Sequence, residues 1–197
     1  MPRIIAGRYR GLRLAAPPGL NTRPTADRIK EAVFSMLESL PFNYEGARVI
    51  DFFAGSGALG LEALSRGASS AVLADADRGA LAAIKKNISA LGPGPEALPL
   101  PVRWPQGLAR LQDRGPFNLF LLDPPYEQIE LPLTLLRESA GLSLAAPGAA
   151  AVWEQAPPSL QKWTDEDVRP WRRAKDRVWG ARAAAFLIYE SNEEAEL

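Results

Sequence analysis

Three stretches of this 197-residue chain carry residues whose types and spacing could do chemistry. The first is Asp51-Phe52-Phe53-Ala54-Gly55-Ser56-Gly57, which follows an apolar run and opens a helical pattern. Glycines there let the backbone turn sharply and approach a ligand with no Cβ in the way. Gly55, Gly57 and Gly60 also match the dinucleotide pattern G-x-G-x-x-G. A tight strand-to-helix turn in any α/β protein gives the same match. The second is Asp75, which ends the next apolar run. A carboxylate there can accept both hydroxyls of a ribose, or it can be a helix N-cap or a loop acid. Asp51 would repel a pyrophosphate but suits a cationic centre. A ribose ligand with a positive centre describes S-adenosylmethionine better than a nicotinamide dinucleotide, whose pyrophosphate sits on a helix N-terminus.

The third stretch is Asp123-Pro124-Pro125-Tyr126, directly after Leu119-Phe120-Leu121-Leu122. Two prolines stiffen the chain and donate no N–H. The loop therefore presents one carboxylate, free carbonyls and one aromatic ring, which suits a planar amine-bearing base. Asp123 and the Pro124 carbonyl can each accept one N–H of an exocyclic amine, and Tyr126 can stack on the ring. The competing reading is a Pro-Pro turn closing a buried strand, with Tyr126 as packing. The chain has no histidine and no cysteine. That excludes a Ser-His-Asp triad, a thiolate nucleophile, a disulfide framework and cysteine-based metal sites.

These residues must be positioned by elements that the pattern also predicts. Residues 3–14 read as a small β-hairpin with Arg8 and Arg10 on one face, ended by Pro17-Pro18-Gly19. A helix follows Pro24, N-capped by Thr25, with Ile29, Val33, Met36, Leu37 and Leu40 on one face. Pro41 stops it. From residue 47 strands and helices alternate. Strands are predicted at 47–51, 71–74, 98–102, 117–122 and 149–153, and helices at 58–66, 78–91, 108–112 and 131–140. Two closing strands, 167–178 and 182–189, read as an antiparallel pair. This order implies an α/β fold, a mostly parallel sheet with a mixed edge. Ligands then sit beyond the carboxyl ends of the strands, where Asp51, Asp75 and Asp123 fall.

The same stretches resemble the RsmD-type methyltransferases, which modify the exocyclic N2 of a guanine in small-subunit ribosomal RNA. Arg3-Ile4-Ile5-Ala6-Gly7-Arg8-Tyr9-Arg10-Gly11 and Arg23-Pro24-Thr25-Ala26-Asp27-Arg28 resemble two amino-terminal signatures of that family. The run from Asp51 to Gly67 is similar to its cofactor loop and helix, and Asp123-Pro124-Pro125-Tyr126 matches its catalytic motif. That last motif is shared with DNA adenine methyltransferases and other amine methylators. The resemblance implies a Rossmann-like class I methyltransferase fold with a seven-stranded mixed sheet and an amino-terminal β-hairpin. It implies S-adenosylmethionine held by Asp51, Phe53, Gly55, Gly57 and Asp75, with Thr25 close to cofactor or target. Where the family usually has Asp or Asn facing the adenine, this chain has Trp104-Pro105-Gln106-Gly107, and Gln106 is taken for that contact. The implied layout is a hairpin extension over 1–20, a methyltransferase domain over 21–190 and an acidic tail over 191–197.

Equal numbers of basic and acidic residues, 23 each, hide an uneven distribution. Residues 1–30 hold seven basic residues against Asp27, and residues 169–182 hold six against Asp176. A basic face suits a polyanion, although solvated surface arginine accounts for charge alone. Arg3, Arg8, Arg10, Arg13 and Arg23 are the expected RNA contacts. The 169–182 cluster is the weaker candidate, with Trp171 and Trp179 read as packing. Small-subunit ribosomal RNA, free or within an assembled or partly assembled subunit, is the expected partner; no metal or membrane is expected. With no signal-like run at the amino terminus, the expected location is the cytoplasm. Three alternatives remain at this level: a DNA adenine or other amine methyltransferase, an RNA-binding assembly protein with a vestigial site, and a nicotinamide oxidoreductase.

Overall fold

Apolar residues recurring at 80, 83, 84 and 91 give residues 78–91 a helical period, and all four are buried. The same logic recurs along the chain. A computed structural model describes residues 2–17, 24–94, 96–125 and 128–191, with the backbone alone for 24–26. Its elements are α1 (Pro24–Leu37), β1 (Arg48–Asp51), α2 (Ala58–Ser65), β2 (Ser70–Asp75), α3 (Arg78–Leu91), β3 (Glu96–Pro101), β4 (Phe117–Leu122), α4 (Glu130–Gly141), β5 (Ala145–Gln155), β6 (Trp171–Trp179) and β7 (Arg182–Tyr189). Short 3-10 turns occupy Leu108–Arg114, Pro157–Gln161 and Asp165–Val168. The strands form a seven-stranded mixed sheet in the order β3-β2-β1-β4-β5-β7-β6. The chain divides into two compact units, residues 1–102 and 103–197.

In the first unit β1, β2 and β3 run parallel, with Val49 opposite Ala71 and Ala71 opposite Ala97. Asp77 caps α3 by accepting the Ala80 N–H at 2.8 Å. The expected amino-terminal hairpin is present in short form: Arg3 bridges Arg13 antiparallel, the Ile4 N–H donates to the Leu12 carbonyl at 2.9 Å and the Leu14 N–H to the Pro2 carbonyl at 2.8 Å. Residues between the arms coil into turns because their donors are used elsewhere. The Arg8 N–H donates to the Ser65 carbonyl at 2.7 Å and the Tyr9 N–H to Ser65 Oγ at 2.9 Å. Ser65 is the last residue of α2, so the segment satisfies a carbonyl that the helix end leaves open. Gly7 makes this approach possible: a Cβ there would lie 1.8 Å from the Ser65 carbonyl oxygen. Helix α1 ends at Leu37 rather than running to Pro41; the Ser39 hydroxyl donates to the Met36 carbonyl at 2.7 Å and closes the last turn.

In the second unit β4 and β5 are parallel, while β7 runs antiparallel to both β5 and β6. Strand β5 starts earlier than expected. Phe117 pairs with Ala145 but Leu119 with Ala150, an irregularity around Gly148, which takes φ 69°. Strand β6 starts later, at Trp171 instead of residue 167. Thr164 and Asp167 form a capping box that winds Asp165–Val168 into a 3-10 turn. Trp171 is packing, as expected: its ring meets Phe120 edge-on at 5.0 Å, and its Nε1–H donates to the Leu136 carbonyl at 2.9 Å. Among the described residues no helix is long and apolar enough to cross a membrane.

Candidate active site

The glycine loop is built from both ends. The Ala54 N–H donates to the Ala74 carbonyl at 2.9 Å, and the Gly57 N–H turns back to the Ala54 carbonyl at 2.6 Å. Gly55 and Gly57 take φ 55° and 79°, the left-handed region that only glycine enters freely. Gly60 has a different task. A Cβ there would lie 2.2 Å from Leu73 Cδ2, so glycine lets α2 close on β2. Asp51 is buried, and its Oδ2 accepts the Gly60 N–H at 3.1 Å. Asp75 is half-buried. Its Oδ2 accepts the Gly55 N–H at 2.8 Å and its Oδ1 the Asp77 N–H at 2.8 Å. The helix cap is Asp77, which leaves Asp75 as the residue that holds the loop. Phe53 is half-buried in the same loop.

Two residues given no role in the sequence analysis lock this loop and its helix to the amino-terminal segment. Asn87 of α3 is buried. Its Oδ1 accepts the Ala15 N–H at 2.7 Å, and its Nδ2 donates to the Ala15 carbonyl at 2.9 Å and to the Ser56 carbonyl at 2.8 Å. Glu62 of α2 is fully buried. It accepts the Ile5 and Ala6 N–H groups at 2.8 and 3.0 Å and pairs with Lys30 at 3.2 Å and Arg66 at 3.0 Å. Burial lowers the Lys30 pKa, against the pull of Glu62. Motif reasoning misses both residues, yet both carry a sequence signal: a polar group at a position that helical periodicity assigns to the core. Such groups are found there only when hydrogen-bonded or paired.

In the second unit the motif residues follow β4 without regular structure. Asp123 is half-buried, Pro124 is buried and Pro125 is exposed. Desolvation pushes the Asp123 carboxyl above its usual range, and the Arg182 guanidinium opposes that rise. Arg182 is itself held by Glu154, a buried residue near the end of β5, at 3.1 Å. Gln106 is exposed in the turn before the first 3-10 segment. Tyr126, Arg23 and the Thr25 side chain lie outside the described residues.

The basic clusters differ. Arg8, Arg10 and Arg13 are exposed, and Arg3 pairs with Asp27 at 2.9 Å. In the 169–182 cluster Arg169 pairs with Glu166, Arg172 with Glu190 and Arg182 with Glu154. Arg173 lies 3.6 Å over the Trp163 ring and pairs with Asp176. Among the described residues no group of three or more acidic, histidine or cysteine residues could hold a metal ion.

The chain resembles known proteins over nearly its whole length. The family model described as Conserved hypothetical protein 95 matches residues 2–188. Ribosomal RNA small subunit methyltransferase D of Escherichia coli K12 is 37% identical over 144 residues, covering 72% of this chain and 69% of that protein. Among solved structures, the Escherichia coli protein yhhF, named provisionally as a methyltransferase, superposes with a TM-score of 0.74 at 28% identity, covering 96% of this chain and 98% of that one. The fold alone is shared with the Thermus thermophilus 16S rRNA N2 G1207 methyltransferase RsmC, solved with AdoMet and guanosine (TM-score 0.63, 18% identity, covering 88% of this chain and 45% of that one). Over nearly its full length, this chain belongs to the Conserved hypothetical protein 95 family, that of the RsmD-type ribosomal RNA methyltransferases.

Proposed function

We infer that this chain is an S-adenosylmethionine-dependent methyltransferase acting on the exocyclic N2 amine of a guanine in small-subunit ribosomal RNA. The observation that carries the reading is the Asp123-Pro124-Pro125 turn after β4, with its desolvated carboxyl, in a chain of this family.

The residues present fit the cofactor. A Cβ on Gly55 would meet nothing within 4 Å, so the loop backbone faces open space there. Each Asp75 oxygen accepts one N–H from the protein and keeps a lone pair for a ribose hydroxyl. Asp51, Phe53, Gly55 and Gly57 would take the methionine end, Asp75 the ribose and Gln106 the adenine, with Thr25 nearby. When bound, S-adenosylmethionine supplies an electrophilic sulfonium methyl, so the protein need provide no nucleophile.

The work left to the protein is alignment and proton handling. Asp123 and the Pro124 carbonyl accept the two N–H bonds of the guanine amine, and Tyr126 stacks on the ring. Held this way, the nitrogen lone pair points in one direction, and such orientation is worth roughly 7–11 kcal/mol of a barrier. The Asp123 carboxylate also stabilises the positive charge that develops on nitrogen. Its raised proton affinity makes it a better acceptor for the proton the amine then sheds. No histidine is needed for any of these tasks.

Residues 1–20 act in this reading as an RNA-contacting extension of the methyltransferase domain 21–190. Arg3, Arg8, Arg10, Arg13 and Arg23 contact phosphates, which position the RNA without reading its sequence. The substrate is an assembled or partly assembled small subunit, and the location is the cytoplasm. The test is incubation of the protein and labelled S-adenosylmethionine with unmodified small subunits or duplex DNA, then mass mapping of the product. Label in one guanine of the small-subunit RNA is the expected result. Label in DNA alone overturns the reading.

A further inference from the structure

Helix α3 contains no acid along its length; its charged residues are Arg78, Lys85 and Lys86, all exposed. It is also the helix that holds the amino-terminal segment. Asn87 grips Ala15 through both its N–H and its carbonyl, at 2.7 and 2.9 Å. Just past the helix end the Tyr9 side chain closes over the chain again, since a Cβ on Gly94 would lie 2.2 Å from its hydroxyl. Two attachment points make the segment and the helix one surface. None of Arg8, Arg10, Arg13, Arg78, Lys85 and Lys86 pairs with a described carboxylate, whereas four of the six cations at 169–182 do. On the helix, Lys86 lies about 100° from Asn87, flanking the segment, and Lys85 about 160° away on the solvent side.

We propose that α3 is part of the RNA-binding surface, with Lys85 and Lys86 continuing onto the helix the phosphate contacts that begin on the amino-terminal segment. This rests on the RNA substrate assigned above and adds a second element to its contact surface. Uncompensated cations are the groups that release counterions from a nucleic acid. Lysines already paired with carboxylates would gain little by that exchange. The commitment is to RNA phosphate, so the expected effect is uniform across RNA sequence and steep in salt.

The test compares the Lys85→Gln/Lys86→Gln double variant with wild type in binding unmodified small-subunit RNA across a salt series. Two lost contacts lower the slope of log affinity against log salt by about 1.4–1.8. S-adenosylmethionine affinity and the melting temperature stay at wild-type values. An Arg169→Gln/Arg172→Gln variant removes two exposed cations that Glu166 and Glu190 already compensate, and leaves the slope unchanged. The proposal is overturned if the α3 variant keeps the wild-type slope, or if the Arg169→Gln/Arg172→Gln variant loses as much slope as the α3 variant. Wild-type protein that binds S-adenosylmethionine but not RNA overturns the substrate assignment itself, a distinguishable failure.

Discussion

Asp51 and Asp75 belong to the first unit and Asp123 to the second, and in sequence the three are alike, each an acid at the carboxyl end of an apolar strand. Their surroundings are unlike. Asp51 accepts the Gly60 N–H, and Asp75 accepts the N–H groups of Gly55 and Asp77. A carboxylate that accepts backbone N–H groups fixes the loop that carries those donors. Asp123 has no described hydrogen-bond donor; burial disfavours its charge, and Arg182 is the group that offsets this. Two acids therefore belong to the scaffold as much as to the site. The third gains no such backbone support, and desolvation raises its pKa.

Substitutions can break this contrast. Asp123→Asn removes the proton acceptor and the charge while keeping the shape, and kcat should fall by about 10²–10³ or more. Stability should move the other way. The folded-state pKa is raised, so the ionised carboxylate opposes folding once pH climbs through that value, and the neutral amide relieves this at neutral pH. The thermal midpoint should hold or rise, and a midpoint that drops as far as that of Asp51→Asn would erase the distinction.

Asp75→Asn should weaken S-adenosylmethionine binding about tenfold to a hundredfold, the worth of one charge-assisted hydrogen bond. Calorimetry measures it directly. Undiminished affinity beside a collapsed kcat would place Asp75 with Asp123 instead. Gly60→Ala should destabilise by about 1–3 kcal/mol through the clash with Leu73, read by denaturant melts. In a Leu73→Ala background the same substitution should cost less, a coupling that a double-mutant cycle reads.

The smallest expected effect is on pH dependence. Activity should rise with pH as Asp123 ionises, on a limb above the ordinary carboxylate range. Arg182→Gln removes the cation that lowers this pKa, so the limb should move to still higher pH. A kcat–pH profile that stays in place would show that Arg182 does not act on Asp123.

Much of the fold could be read from local pattern. Helix α3 spans Arg78–Leu91, β4 Phe117–Leu122 and β7 Arg182–Tyr189, the bounds that periodicity and turn residues predict. These succeed because the period of a helix or strand and the turn chemistry at its ends depend on near neighbours. The failures have a common cause. The amino-terminal arms pair as a hairpin only briefly, because the Ile5 and Ala6 donors go to Glu62 and those of Arg8 and Tyr9 to Ser65, far along the chain. The first turn of the expected β6 is taken by a Thr164–Asp167 capping box that the strand pattern does not reveal. The glycine pattern groups Gly60 with the ligand loop, while its tight contact is with Leu73.

By itself the sequence determined the element types, the glycine loop, the Asp-Pro-Pro turn and the absence of histidine and cysteine chemistry. Only the tertiary structure decided which charges are compensated. Arg173 stacks on Trp163 while Lys85 meets no described carboxylate, and Asp75 is held by two N–H groups while Asp123 is left desolvated. Composition counts those groups alike. Their energies differ because a charge is stabilised or penalised by what lies within a few ångströms, and Asn87 meets Ala15 across 72 positions of chain.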